Sequence, residues 1–211
     1  MTSPTQTEPP NAALRHSRWA TRRTPLWVFA VIALGVFLVS LSHKPSQSQR
    51  ASDLAGYFND VKAGIGSCAA GLHDSENAYG QVLNGSAALN KNAESVFTYG
   101  GANCTLASNQ ALTDFGTYQV TESLSSLNLD TADNDVITWS FDSTAVQADM
   151  LAVLKATTPA AKATAQSKLT ADVATLDRQR AAIDTIWSAA KKTTGATAPF
   201  PSLPAWKPPS S

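Results

Sequence analysis

Few stretches of this chain combine residue types that could do chemistry. Beyond residue 43, His73-Asp74-Ser75-Glu76 is the one place where a histidine stands beside carboxylates. On a helix these side chains fan around the axis. Only the step from His73 to Glu76 brings two of them to one side, so the tetrad reads as a solvated face and not as a metal site. Paired Glu-x-x-His motifs of the di-iron bundle kind, a G-x-S-x-G elbow, and Walker or dinucleotide glycine patterns are all missing from the sequence. No catalytic, cofactor-binding or metal-ligating residue is assigned on this reading, which expects no enzyme and no cofactor. Arg180 falls between Leu176 and Ile183 on the apolar side of its segment, where pairing with Asp177 or Asp184 is expected in preference to anion binding. Asn84-Gly85-Ser86 and Asn103-Cys104-Thr105 match glycosylation tripeptides, a pattern that arises readily by chance.

Cys68 and Cys104 are the only cysteines, and a pair outside the cytoplasm is expected to form a disulfide. That location follows from the segment Pro25–Ser42, which has no charge and is preceded by Arg15, Arg18, Arg22 and Arg23. The 19 uncharged residues from Thr24 to Ser42 span about 28 Å as a helix, close to the hydrocarbon thickness. The basic flank keeps the N-terminus in the cytoplasm. An uncleaved signal anchor (25–42) is expected on a bacterial cell membrane, crossed once, with the C-terminal bulk outside. The alternative is a cleaved signal peptide ending at Ser40-Leu41-Ser42, which would leave a secreted protein. Residues 1–24 read as a disordered basic cytoplasmic tail and 43–50 as a linker. The zero net charge conceals an outer part (43–211) with twelve Lys/Arg against fifteen Asp/Glu. This mildly acidic balance argues against a nucleic-acid partner.

The elements that would position these residues are helical. Proline is missing from Ser46 to Thr158, and the apolar residues recur at steps of three and four, as in Leu54, Phe58, Val61, Ile65, Cys68 and Leu72. This pattern resumes at Tyr79, Val82, Leu89, Ala93 and Val96. It cannot be one rod, because Cys68 to Phe97 along a helix is about 43 Å and the residues left before Cys104 return only about 20 Å. A helical hairpin is therefore expected, turning at Asn84-Gly85-Ser86 with Ser86 capping the next helix. Gly100-Gly101 is expected to break the returning helix. A weaker helix is expected over Ser108–Leu127. A cleaner one follows, capped by Thr131 and buried through Val136, Trp139, Val146, Met150 and Val153 or Leu154. The last helix starts at Thr158-Pro159 and ends at Lys191, Lys192 and Gly195, burying Leu169, Val173, Leu176, Ile183, Trp187 and Ala190. The chain thus reads as all-α, an antiparallel up-down bundle of about four helices (51–194) with one disulfide, on a single N-terminal transmembrane helix.

Residues 195–211 hold five of the eleven prolines and read as an extended tail in which Phe200, Leu203 and Trp206 share one face of a polyproline II helix. This stripe either docks on its own bundle or awaits a partner. The proteolysis and stickiness of a free aromatic tail favour docking. The functional expectation is a membrane-anchored extracytoplasmic helical domain, a protein-interaction or structural module of the cell envelope. The alternative is an extracytoplasmic small-ligand binding or sensing domain.

Overall fold

The structure, a computed structural model, describes residues 44–113 and 120–206, the side chains of 110–113 excepted. The expected anchor at 25–42 and the basic tail before it lie outside these residues. Among the described residues no helix is long and apolar enough to cross a membrane.

Four α-helices account for most of the described residues: α1 (Gln47–Leu83), α2 (Lys91–Thr113), α3 (Leu129–Lys155) and α4 (Pro159–Thr194), with a short 3-10 helix at Glu122–Leu127. Their cross-contacts define an up-down-up-down bundle. Cys68 meets Cys104 and Gly71 meets Gly100 between α1 and α2, and Glu94 meets Lys155 between α2 and α3. Asp149 meets Lys168 between α3 and α4. Tyr57 with Trp187 and Tyr79 with Gln166 close the ring between α1 and α4. All-α architecture, about four antiparallel helices and the disulfide are as the periodicity and cysteine spacing imply.

In α1, α3 and α4 the core follows this periodicity, whereas Val82, Leu89, Ala93 and Val96 are only half-buried and α2 buries Phe97, Cys104 and Ala107 instead. Leu54, Phe58, Val61, Ile65, Cys68 and Leu72 from α1 are buried, as are Val136, Trp139, Val146, Met150 and Val153 from α3. From α4, all six expected residues from Leu169 to Ala190 are buried. Its Thr158 cap accepts a hydrogen bond from Ala161 N at 3.2 Å, Pro159 opens the helix, and Gly195 ends it at φ 72°, which suits a residue without Cβ.

Several expected boundaries are corrected. Helix α1 starts at Gln47, inside the expected linker, because Ser46 Oγ accepts from Gln49 N at 3.1 Å and so caps it. The early start lets Arg50 donate to Ser123 O at 3.1 Å, tying the 3-10 helix across the open end of the bundle. The hairpin does turn at Gly85, φ 75°. Ser86, however, donates to Gln81 O, and Asn90 caps α2 by accepting from Asn92 N and Ala93 N. Asn128, not Thr131, precedes α3, and Thr131 Oγ1 donates to the Asn128 side chain at 2.9 Å. Of the expected helix over 108–127, residues 108–113 belong to the end of α2, residues 114–119 lie outside the described residues, and Glu122–Leu127 forms the 3-10 helix, which buries Leu124 and Leu127.

The largest correction concerns Gly100-Gly101, which lies inside α2 without breaking it. A Cβ on Gly71 would stand 2.8 Å from Gly100 Cα, and one on Gly100 would meet Gln147 Oε1 at 2.0 Å and Gly71 O at 2.8 Å. These glycines serve close approach between helices, which outweighs their poor helix propensity of about 1 kcal/mol each. The disulfide one turn away, with Cα atoms 4.2 Å apart, fixes the same crossing.

Candidate functional site

The tail is the first candidate that the structure resolves. After Gly195 the chain runs extended along the seam between α1 and α4, with Leu203 and Trp206 buried and Phe200 at 37% exposure. Phe200 lies edge-on to Phe58 at 5.6 Å and 6.0 Å from Trp187, and the Lys191 ammonium sits 4.8 Å above its ring. Trp206 packs 6.4 Å from Tyr79. The tail therefore runs antiparallel to α4 and covers its own bundle, as docking required. Leu203 and Trp206 of its stripe belong to the core, while Phe200 packs on the core's edge and stays partly exposed.

His73, Asp74, Ser75 and Glu76 diverge as expected of a helix face. His73 and Asp74 are exposed, while Ser75 is buried and donates to Gln147 Oε1 at 2.8 Å. Glu76 is half-buried, with Oε1 enclosed and lacking a partner among the described residues. Burial pushes its carboxyl up to about 7. Among the described residues no group of three or more His, Cys, Asp or Glu side chains is placed to hold a metal. Arg180 lies 3.4 Å from Asp177 and 4.0 Å from Asp184, the pairing read from its spacing.

Two further acidic groups are withdrawn from solvent, Asp149 buried and Asp133 half-buried. Asp133 accepts from Tyr57 OH at 2.7 Å, and that hydroxyl receives Trp187 Nε1–H at 3.4 Å. Desolvation lifts Asp133 to about 7, against the lowering effect of the Tyr57 bond. Burial likewise raises Asp149, although Lys168 donates to both of its oxygens at 2.8 and 2.7 Å. Lys168 also reaches Asp172, whose carboxyl it holds below the usual range. These groups tie α1, α3 and α4 together, and their chemistry is that of stability.

The surface chemistry concentrates between α1 and α2. From the Gly71–Gly100 crossing toward the turn the two helices leave a groove of about 430 Å³, lined by Asp74, Asn77 and Gln81 on α1 and Ser95, Tyr99 and Asn103 on α2. Tyr99 is 70% exposed. The side chains of Asp74, Gln81, Tyr99 and Asn103 make no hydrogen bond with other described residues, while Asn77 touches His73 Nε2 at 3.3 Å and Ser95 donates to Asn92 O. The groove has a rigid floor, because the glycines and the disulfide hold its closed end. No functional assignment from sequence included these residues. The signal was present in the near-equal distances of Gly71 and Gly100 from the turn at Gly85, which place the two opposite each other in a hairpin.

A second crevice, about 500 Å³ and open to solvent, lies between α3 and α4 where Ala152, Ala156, Ala161 and Ala165 leave room, with Asp149 and Lys168 at its edge. Compared with known proteins, the chain matches no protein-family model, no curated protein and no solved structure.

Proposed function

We propose that the chain is a membrane-tethered helical module on the outer face of the cell membrane, which works by recognising another component of the cell envelope at its α1–α2 face. The observation that carries this reading is the groove around Tyr99, where Asp74, Gln81 and Asn103, whose side chains have no hydrogen-bond partner among the described residues, lie beside an exposed ring on a rigid floor. Such convergent unpaired groups serve a ligand better than they serve the fold. The uncharged span with its basic flank supports the tether. The buried Cys68–Cys104 disulfide supports an oxidising compartment.

The test is photocrosslinking in the native host with a photoreactive residue at position 99, and at Thr185 on α4 as the comparison. A discrete adduct from position 99, lacking from position 185, is expected. Equal or no adducts from both positions would remove the recognition face. A second reading, binding of a small apolar molecule, has the alanine-lined α3–α4 crevice in its favour. A copurifying small molecule in the native mass spectrum, lost on Ala161→Trp, would establish it.

A further inference from the structure

We propose that the α1–α2 groove is a saccharide site, specific for neutral or amino-bearing sugars. This inference rests on the recognition reading above and names its ligand class. The face of an aromatic ring is apolar and carries partial negative charge, which suits the C–H face of a pyranose. Tyr99 presents such a face to solvent at the mid-length of the groove, 70% exposed. Around it stand Asn77, Gln81 and Asn103, each able to donate and accept in one plane, with Asp74 as an acceptor and Ser95 as either. Vicinal sugar hydroxyls, each both donor and acceptor, are the ligand groups that such a ring of amides and one carboxylate pairs best.

Charge narrows the class. Among the described residues Asp74 is the only acidic side chain lining the groove, and no Lys or Arg lines it. Phosphate-bearing polymers and uronic acids would meet an unfavourable field there, whereas neutral sugars are accepted and an amino sugar gains an ion pair. The span from Ser95 to Asn103 along α2 is about 12 Å, room for a short oligosaccharide. Because the Gly71–Gly100 crossing and the adjacent disulfide hold the closed end, little ordering entropy is lost on binding.

The full chain in lipid nanodiscs, prepared without glycoside detergents, is to be titrated by calorimetry with cellotetraose, a glucosamine tetramer and a galacturonate tetramer. Saturable binding of cellotetraose and the glucosamine tetramer is expected, with the galacturonate tetramer weaker by about tenfold. Tyr99→Ala and Asn103→Ala should each weaken binding by about tenfold. Phe141→Ala, at a half-exposed ring on α3, should leave it unchanged. Tyr99 supports nothing in the core, so its variant keeps the wild-type melting curve. The absence of saturable binding by any of the three, equal binding of galacturonate, or indifference to Tyr99→Ala overturns the proposal. A position-99 crosslink to an envelope protein without sugar binding removes the saccharide and leaves the recognition face. No crosslink and no sugar removes both.

Discussion

Gly100→Ala isolates the contact on which the α1–α2 hairpin is built. In an unconstrained helix this change is favourable by about 1 kcal/mol. Here the new methyl would lie 2.0 Å from Gln147 Oε1, 2.8 Å from Gly71 O and 2.9 Å from Ser75 Oγ. Gln147 is fully buried and held by Ser75 Oγ and by Ser143 O, to which its Nε2 donates at 3.2 Å. Swinging it aside leaves buried polar atoms unpaired, at about 1–3 kcal/mol. Separating the helices instead pulls against a disulfide whose Cα atoms are 4.2 Å apart, and overpacking of this kind costs about 1–3 kcal/mol. Net of the propensity gain, either route leaves a loss of about 1–2 kcal/mol, or roughly 3–6 °C in Tm for a domain of this size. Gly66→Ala is the internal control, since its Cβ would meet nothing within 4 Å; that variant should gain about 1 kcal/mol. Gly101→Ala, with Thr144 Cγ2 at 3.3 Å, should fall between the two. Thermal unfolding followed by circular dichroism measures all three. If Gly100→Ala melts at or above the wild type, or cannot be told from Gly66→Ala, the close-approach argument is wrong.

Three further outcomes are expected. Deleting residues 199–211 uncovers the α1–α4 seam and removes buried Leu203 and Trp206, so stability should drop by about 3 kcal/mol; an unchanged melting curve would mean that the tail does not hold the bundle. Asp133 rises from 3.8 to about 7 on folding, so the folded state holds the proton more tightly and stability falls as pH rises between those values. Asp133→Asn keeps an acceptor for Tyr57 and should flatten that fall, gaining about 2 kcal/mol at pH 8 once solvent screening is allowed for; urea titrations across that range would refute this by parallel profiles. Lys168→Met leaves Asp149 enclosed without its cation and should cost about 2 kcal/mol at neutral pH, partly regained in acid as Asp149 protonates. A pH-independent loss would point to packing instead of charge.

How much of this was legible in the sequence differs between levels for physical reasons. Apolar periodicity is a local signal, so the buried faces of α1, α3 and α4 could be read residue by residue, from Leu54 to Ala190. The cap at Thr158 and the stop at Gly195 were equally plain, since each acts within one turn. Gly100-Gly101 was misread because a glycine pair inside a helix looks like a breaker until its neighbour across the hairpin is known. Likewise, the 3-10 helix at Glu122–Leu127 depends on Arg50, far away in the chain, for its place. The groove was hidden for a related reason: Asp74, Asn77, Tyr99 and Asn103 look like ordinary solvated positions one helix at a time. They converge only when the Gly71–Gly100 crossing sets the two helices side by side.

The measurement that tests the account most directly is the intact mass of the chain taken from the native host's membranes after its free thiols are trapped by alkylation. An anchored protein with its domain outside predicts a mass that retains the segment before His43, two hydrogens fewer than the reduced chain, and no alkyl adduct on Cys68 or Cys104. A chain beginning at His43, or one carrying two adducts, would contradict it.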